Sequence, residues 1–319
     1  MFNKGVFLDV GSVDSGDIAW SPLKAMARDW GWHQATASRQ RLERIIDAEL
    51  VISNKVVLDR YLLAACRNLK LVCIAATGSN NVDLEAATEL GIAVTNVTGY
   101  ATPSVVQHVF SLILSLATQQ QNYQRAVASG DWQRANHFCF LDYPIWELSG
   151  KCMGILGYGE LGRGVGRLAE AFGMSVLVAQ RPGNGTDPDR IPLDELLPQV
   201  DILSLHVPLA ENTRNLIGAR ELALMQPHAL LINTARGGIV DESALVDALI
   251  NGELGGAGID VLDAEPPVDG NPLLNPKIPN LILTPHIAWA SREARQRLID
   301  DVAANIQVFL AGEIRNRVV

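Results

Sequence analysis

The stretch MGILGYGELG, residues 153–162, sets Gly157, Gly159 and Gly162 in G-x-G-x-x-G spacing. An apolar run, Cys152–Leu156, leads into it, and the helical pattern RGVGRLAEAFGM follows. A strand that turns this way into a helix belongs to a parallel α/β sheet. Each glycine has a physical task. Gly157 permits the tight turn, Gly159 lets the backbone approach a pyrophosphate, and Gly162 lets helix and strand lie close together. The helix start, with Glu160 and Leu161, offers N–H groups and the positive end of a dipole to phosphates. The stretch therefore reads as a dinucleotide site, against the plainer alternative of a glycine-rich turn that binds nothing.

The rest of the chain supplies the expected surroundings. Short apolar runs alternate with helix-like segments over the first hundred residues: GVFLDV, SPLKAMARDW, ELVISN, LKLVCIAATG and GIAVTNVTG. A long helical pattern, ATPSVVQHVFSLILSLATQQQNYQRAV, comes next, with Thr102 placed to cap it and Pro103 in its first turn. A second alternating series then runs from KCMGILGYG through SVLVAQ, VDILSLHVP, HALLINTA, GAGIDVL and NLILTPH. From Ser291 onward the chain reads as a closing helix with a ragged end. The prediction is two Rossmann-like parallel-sheet α/β domains, the second inserted in the first. Residues 1–100 and 288–319 form the outer domain and 101–287 the dinucleotide-binding domain. A chain of 319 residues has room for both.

Charge and composition narrow the partners. A net charge of −9 disfavours nucleic acid or an anionic membrane, both of which attract basic surfaces. The apolar run Val109–Ala117 is shorter than the roughly 20 residues that span a bilayer. The N-terminus has no signal-peptide pattern, so a cytoplasmic protein is expected. Cys66, Cys73, Cys139 and Cys152 are scattered, without zinc-site spacing, and no metal is expected.

The strand after the fingerprint, SVLVAQ, ends where an NAD-binding unit usually carries an acid for the ribose hydroxyls. Here stands Gln180, followed by Arg181. A neutral amide does not repel a 2′-phosphate, and a guanidinium pairs with one. Two readings stand at this point: NADP(H), moderately favoured, or NAD(H) held by other contacts while Arg181 points into solvent.

Three later stretches carry reactive side chains: NTARGG (Asn233–Gly238), DVLDAEPP (Asp260–Pro267) and TPHIAW (Thr284–Trp289). Each follows a predicted strand, at the carboxyl end where open α/β sheets bind ligands. Together they offer a guanidinium, a carboxylate and an imidazole, a set suited to redox chemistry at an α-keto acid. With GYGELG, these motifs in this order resemble the D-isomer-specific 2-hydroxyacid dehydrogenases over essentially the whole chain. Within that family they are most similar to the glycerate dehydrogenase/hydroxypyruvate reductase branch.

The resemblance implies a discontinuous substrate-binding domain, a central coenzyme domain, and a homodimer formed through the coenzyme domain. It implies that Arg236 binds the substrate carboxylate and polarises the carbonyl, and that His286 is the general acid of reduction. Glu265 is then the hydrogen-bond partner that orients the imidazole and favours its protonated form. Gly78 and Ser79, in the turn after LVCIAA, help hold the carboxylate, and Trp289 walls the substrate side or is simply packed. Thr102, His206, Val207, Pro208, Thr213, Thr234, Ala235, Asp260 and His286 itself complete the coenzyme contacts beyond the fingerprint, Asp260 near the carboxamide unless it only caps a turn. His108 reads as a packed helix residue without chemistry. The implied reaction is NAD(P)H-dependent reduction of hydroxypyruvate, and of glyoxylate, to glycerate and glycolate. A broad 2-ketoacid reductase and a non-enzymatic dinucleotide-sensing protein are the alternatives.

Overall fold

The apolar runs of the sequence become short parallel strands buried on both faces, as sheets covered by helices on either side require. The structure is a computed structural model that describes residues 1–181, 183 and 187–319. Among these the chain forms two compact units, Met1–Ala101 with Trp289–Val319, and Thr102–Ala288.

The first unit holds strands β1 (Phe2–Phe7), β2 (Ala27–Trp32), β3 (Leu50–Ser53), β4 (Leu71–Ile74) and β5 (Ala93–Thr95). They pair in parallel in the order β2-β1-β3-β4-β5. Helices α1 (Ser21–Lys24), α2 (Arg41–Ile45), α3 (Arg60–Ala65) and α4 (Leu84–Glu89) link them. The second unit opens with α5 (Thr102–Ala117) and α6 (Gln120–Ala128). Its strands are β6 (Cys152–Leu156), β7 (Ser175–Val178), β8 (Ile202–Leu205), β9 (Leu230–Asn233), β10 (Gly256–Ile259) and β11 (Leu281–Leu283), ordered β11-β10-β9-β8-β6-β7. Between them lie α7 (Glu160–Ala171), α8 (Leu193–Leu196), α9 (Ala219–Leu224) and α10 (Glu242–Ile250); α11 (Arg292–Leu310) returns to the first unit.

Ser291 caps α11, accepting the Ala294 N–H at 3.2 Å. The helix then buries Leu298, Ile299, Val302 and Ile306 against Phe2, Phe7 and Leu71. In the second unit Leu203, Leu205, Leu231 and Ile259 form one apolar layer with Leu245 and Leu249 of α10.

Three local expectations are corrected. The segment SPLKAMARDW is not one helix: α1 stops at Lys24, and Ala27–Trp32 is an edge strand on β1. Its alternating Trp30 and Trp32 stack at 4.9 Å, a gain that the extended chain allows. The long helix from Thr102 breaks at Gln119, whose φ of 52° is left-handed and ends α5. Gln119 also donates its amide to the Leu116 carbonyl, satisfying one of the helix's last acceptors. The end of the chain is not ragged. Val318 and Val319 exchange backbone hydrogen bonds with Val94, closing the free edge of β5.

Candidate active site

The glycine turn follows β6, which pairs with β7 on one side and β8 on the other. This is the switch point of the sheet, where crevices open at the strand ends. A Cβ on Gly157 (φ 95°) would lie 2.6 Å from the His206 backbone, and one on Gly162 would lie 2.1 Å from the Gly157 carbonyl oxygen. The loops after β6 and β8 therefore touch, and α7 begins directly on the turn. At Gly159, the N-cap of α7, an added Cβ would meet nothing within 4 Å, and no side chain caps the helix. The first N–H groups of α7, at Glu160 and Leu161, stand at its positive end.

Among the described residues, two buried side-chain polar atoms have no hydrogen-bond partner: His206 Nδ1 and Thr234 Oγ1. They follow β8 and β9, which pair through Leu205 and Asn233. Burial pushes the His206 imidazole down to about 4, so it is neutral at neutral pH. Its Nε2 lies 2.9 Å from Ser204 Oγ. Unpaired buried polar groups are costly, and a polar ligand bonded to them relieves that cost. Orphaned atoms beside an open glycine turn fit a dinucleotide.

The remaining coenzyme candidates are placed as follows. Thr102 is the first residue of α5 rather than its cap, and its hydroxyl donates to Glu160 Oε1 at 2.5 Å. Val207 and Ala235 are both buried. Thr213 is turned inward, donating to the Pro208 carbonyl and accepting from Ala210 N, each at 2.7 Å, so it braces the turn after Pro208. Gln180 bonds through its backbone N–H to Ile191 O, while Arg181 is exposed. Both line a cavity of about 510 Å³ with Asp194, Arg220 and Glu221. Arg220 is tied to Asp194 by paired bonds of 2.7 and 2.9 Å. Arg181 has no carboxylate partner among the described residues.

The three reactive side chains follow β9, β10 and β11, adjacent strands of one sheet. Arg236 sits in a turn stapled by buried Asn233, which donates to Arg236 O at 2.9 Å and accepts from Ala235 N. Its guanidinium donates to Ala235 O at 2.7 Å and pairs with no carboxylate among the described residues. The next residue lies so near the loop after β10 that a Cβ on Gly237 would fall 1.8 Å from Leu262 O. From that loop the Leu262 N–H donates to Glu265 Oε1 at 2.9 Å. Glu265 Oε2 in turn lies 2.6 Å from His286 Nδ1. A carboxylate only accepts, so Nδ1 carries the proton, and the Nε2 edge of the ring is turned away from Glu265. A cavity of about 370 Å³ beside this pair is walled by Leu262, Pro266, Leu274 and Leu283.

His286 itself has a left-handed backbone, φ 55°. Asp260, 1% exposed, holds that turn. Its backbone oxygen accepts from His286 N at 2.7 Å, and its carboxylate accepts from Ile287 N, Ala288 N and the Thr284 hydroxyl. His108 and Ser104 of α5 join this network, the part that local reading missed. The available signal was two polar side chains four residues apart on the apolar face of α5.

Gly78, Ser79 and Trp289 lie in the other compact unit. The N–H groups of Gly78 and Ser79 donate to no group among the described residues. Trp289 packs edge-on to Tyr100, ring centroids 6.3 Å apart.

Comparison with known proteins agrees with this geometry. A family model for the D-isomer specific 2-hydroxyacid dehydrogenase NAD binding domain matches residues 110–288. A glycerate dehydrogenase of Methylorubrum extorquens is 42% identical over 318 residues, 99% of each chain. Among solved structures, the TT0316 protein of Thermus thermophilus superposes with a TM-score of 0.87 at 31% identity, covering 99% of this chain and 100% of that one. An NADPH-dependent glyoxylate/hydroxypyruvate reductase of Sinorhizobium meliloti gives 0.80 at 28%, covering 99% and 98%.

Fold, site and likeness define an NAD(P)-dependent dehydrogenase. More narrowly, the chain belongs to the D-isomer-specific 2-hydroxyacid dehydrogenase family. It uses a nicotinamide dinucleotide to interconvert small 2-ketoacids and D-2-hydroxyacids.

Proposed function

We propose that this dehydrogenase reduces hydroxypyruvate to D-glycerate, and glyoxylate to glycolate, with NADP(H) as the favoured coenzyme. The observation that carries the catalytic part is the 2.6 Å bond between Glu265 Oε2 and His286 Nδ1. It fixes which nitrogen of the ring can serve the substrate. When bound, the coenzyme supplies hydride to the carbonyl carbon. His286, protonated at Nε2, gives its proton to the carbonyl oxygen, and the Glu265 carboxylate stabilises the imidazolium before transfer. Arg236, a planar fork with no acidic partner among the described residues, binds the substrate carboxylate and draws charge from the adjacent carbonyl. Gly78 and Ser79 are further carboxylate donors, supported by N–H groups that donate to nothing among the described residues, and Trp289 is a substrate-side wall.

Residues 101–287 serve as the dinucleotide-binding domain, and 1–100 with 288–319 as the substrate-binding domain. Gly157, Gly159, Glu160, Leu161 and Gly162 would hold the pyrophosphate. His206 with Val207 and Pro208, and Thr234 with Ala235, line the coenzyme's path; Thr102 and Thr213 brace it. Three of the roughly four acceptor sites of the Asp260 carboxylate are used internally, which leaves one for the carboxamide. NADP(H) is supported by Gln180, which does not repel a 2′-phosphate, and by exposed Arg181. The names glycerate dehydrogenase and NADPH-dependent glyoxylate/hydroxypyruvate reductase, borne by relatives, support the substrates and coenzyme. We place the protein in the cytoplasm as a homodimer joined through the coenzyme domain.

The test is a spectrophotometric panel of hydroxypyruvate, glyoxylate and pyruvate, each with NADH and NADPH. Hydroxypyruvate is expected to give the highest kcat/KM, with NADPH at or above NADH. Equal turnover of pyruvate points to the broad reductase, and no turnover of any keto acid to the sensing protein. A hundredfold preference for NADH overturns the account of Gln180 and Arg181. His286→Ala should lower kcat by at least about 100-fold while coenzyme still binds; near-normal turnover removes its proton-transfer role.

A further inference from the structure

The catalytic histidine stands in a turn, 284–288, whose shape depends on one buried carboxylate. Asp260 accepts at Oδ1 from the Thr284 hydroxyl (2.6 Å) and Ile287 N (2.9 Å), and at Oδ2 from Ala288 N (2.8 Å). Three donors aimed at one carboxyl group make its oxygens the acceptors of this network. The single Thr284 proton is therefore committed to Asp260. Yet His108 Nε2 lies 3.0 Å from the same Thr284 oxygen. With no proton left on that hydroxyl to give, His108 must be the donor, through an Nε2–H.

The same imidazole nitrogen is 3.6 Å from Asp260 Oδ1, and it is the one basic side chain within ion-pair range of Asp260 among the described residues. One turn earlier on α5, Ser104 donates its hydroxyl to Ala288 O at 2.7 Å. One turn later, Leu112 faces β10 where Gly258 has no side chain; a Cβ there would lie 2.9 Å from Leu112 Cβ. Residues 104, 108 and 112 thus lie on one face of α5. The glycine in β10 lets this face press close enough for two polar side chains to reach both ends of the catalytic turn.

We propose that His108 is a positioning residue: its Nε2–H, acting through Thr284 and Asp260, fixes the left-handed turn that aims His286 at the substrate. This rests on the reading of His286 as the proton donor. His108 touches neither reacting atom in this role. It supplies the outermost donor of a chain of hydrogen bonds, imidazole to hydroxyl to carboxylate to the turn's backbone. Without it the Thr284 hydroxyl keeps its bond to Asp260 but loses the donor on its other side, and the buried carboxylate loses the basic side chain 3.6 Å from its Oδ1. A shift of His286 by about 1 Å is enough to lose on the order of 100-fold in rate.

The experiment compares His108→Leu, which keeps bulk and removes the donor, with His108→Gln, whose side-chain amide presents an N–H near the Nε2 position. Steady-state kinetics with hydroxypyruvate, coenzyme Kd by tryptophan fluorescence, and Tm are measured for both, alongside His286→Ala. The expected result for His108→Leu is a fall in kcat of roughly 10- to 100-fold, with coenzyme Kd changed less than threefold. His108→Gln should recover kcat to within about threefold of wild type. The proposal is overturned if His108→Leu retains kcat within threefold, or if both variants lose activity and Tm together, since that is packing and not donation. An inactive His286→Ala beside an active His108→Leu overturns this inference alone, whereas an active His286→Ala overturns the proton-donor reading beneath it.

Discussion

His206 shows how burial is written into the energetics of one side chain. Burial pushes its imidazole from an ordinary value near 6.5 to about 4, and its Nδ1 has no partner among the described residues. In the unfolded chain the same ring takes a proton near 6.5. Between those values the unfolded state holds more protons than the folded one, so stability must fall as pH drops through this window. Above 6.5 both forms are neutral and His206 contributes no pH dependence. At pH 5 the cost is about 2 kcal/mol, because each tenfold difference in proton affinity between the two states is worth roughly 1.4 kcal/mol. Thermal melts of coenzyme-free protein at pH 7.5 and pH 5 should therefore show a larger drop for wild type than for His206→Gln. Identical drops in the two proteins mean that the ring is not held neutral by burial.

The junction of β6 with α7 has little room for change. A methyl group at position 162 would fall 2.1 Å from the Gly157 carbonyl oxygen and 3.2 Å from Ile155 Cγ2, and the nearer neighbour is backbone. Gly162→Ala must push the helix start off the turn, at a cost of about 1–3 kcal/mol or more. At roughly 2–4 °C per kcal/mol for a domain of this size, Tm should fall by several degrees. Coenzyme affinity should fall at least about tenfold, since the N–H groups of Glu160 and Leu161 move with the helix. Isothermal titration that finds unchanged affinity would sink this account of the turn. Such junctions are legible in sequence because strand, glycines and helix are contiguous, and the reactive side chains are legible because each follows its own strand within six residues. Edge strand β2 is not: ARDWGW carries charge and a glycine, and only pairing with β1 makes it a strand. Nor is the break at Gln119, where the apolar period runs on but the backbone turns left-handed. His108 escapes for a different reason. Its partner Thr284 is 176 residues away, and no local period encodes a contact made through the folded sheet.

The unit Thr102–Ala288 carries one segment rich in exposed large apolar side chains. After α6 the chain runs out through residues 129–149, anchored at its base by Tyr123, whose hydroxyl donates to Tyr143 O at 2.6 Å and whose ring meets Phe140 and Tyr143 edge-on. Trp146 N donates to Ala117 O, so the return is tied to the end of α5. Beyond that anchor Phe138 is 91% exposed and Leu141 77%, with Trp132 and Ile145 also more than half exposed. Single exposed apolar residues are ordinary, but a run of large ones on one segment is the kind of surface that suits a protein contact. In the proposed homodimer that cover is a second copy of the coenzyme domain, on an interface of about 1,200–2,000 Å² or more. Sedimentation at micromolar concentration should give about twice the 34.5 kDa chain mass. The double change Phe138→Asp with Leu141→Asp buries two carboxylates in that contact, and should shift the protein to the single-chain mass. A wild-type protein that sediments as one chain rules out the dimer. A double variant that stays paired leaves the dimer standing and moves its contact away from this segment.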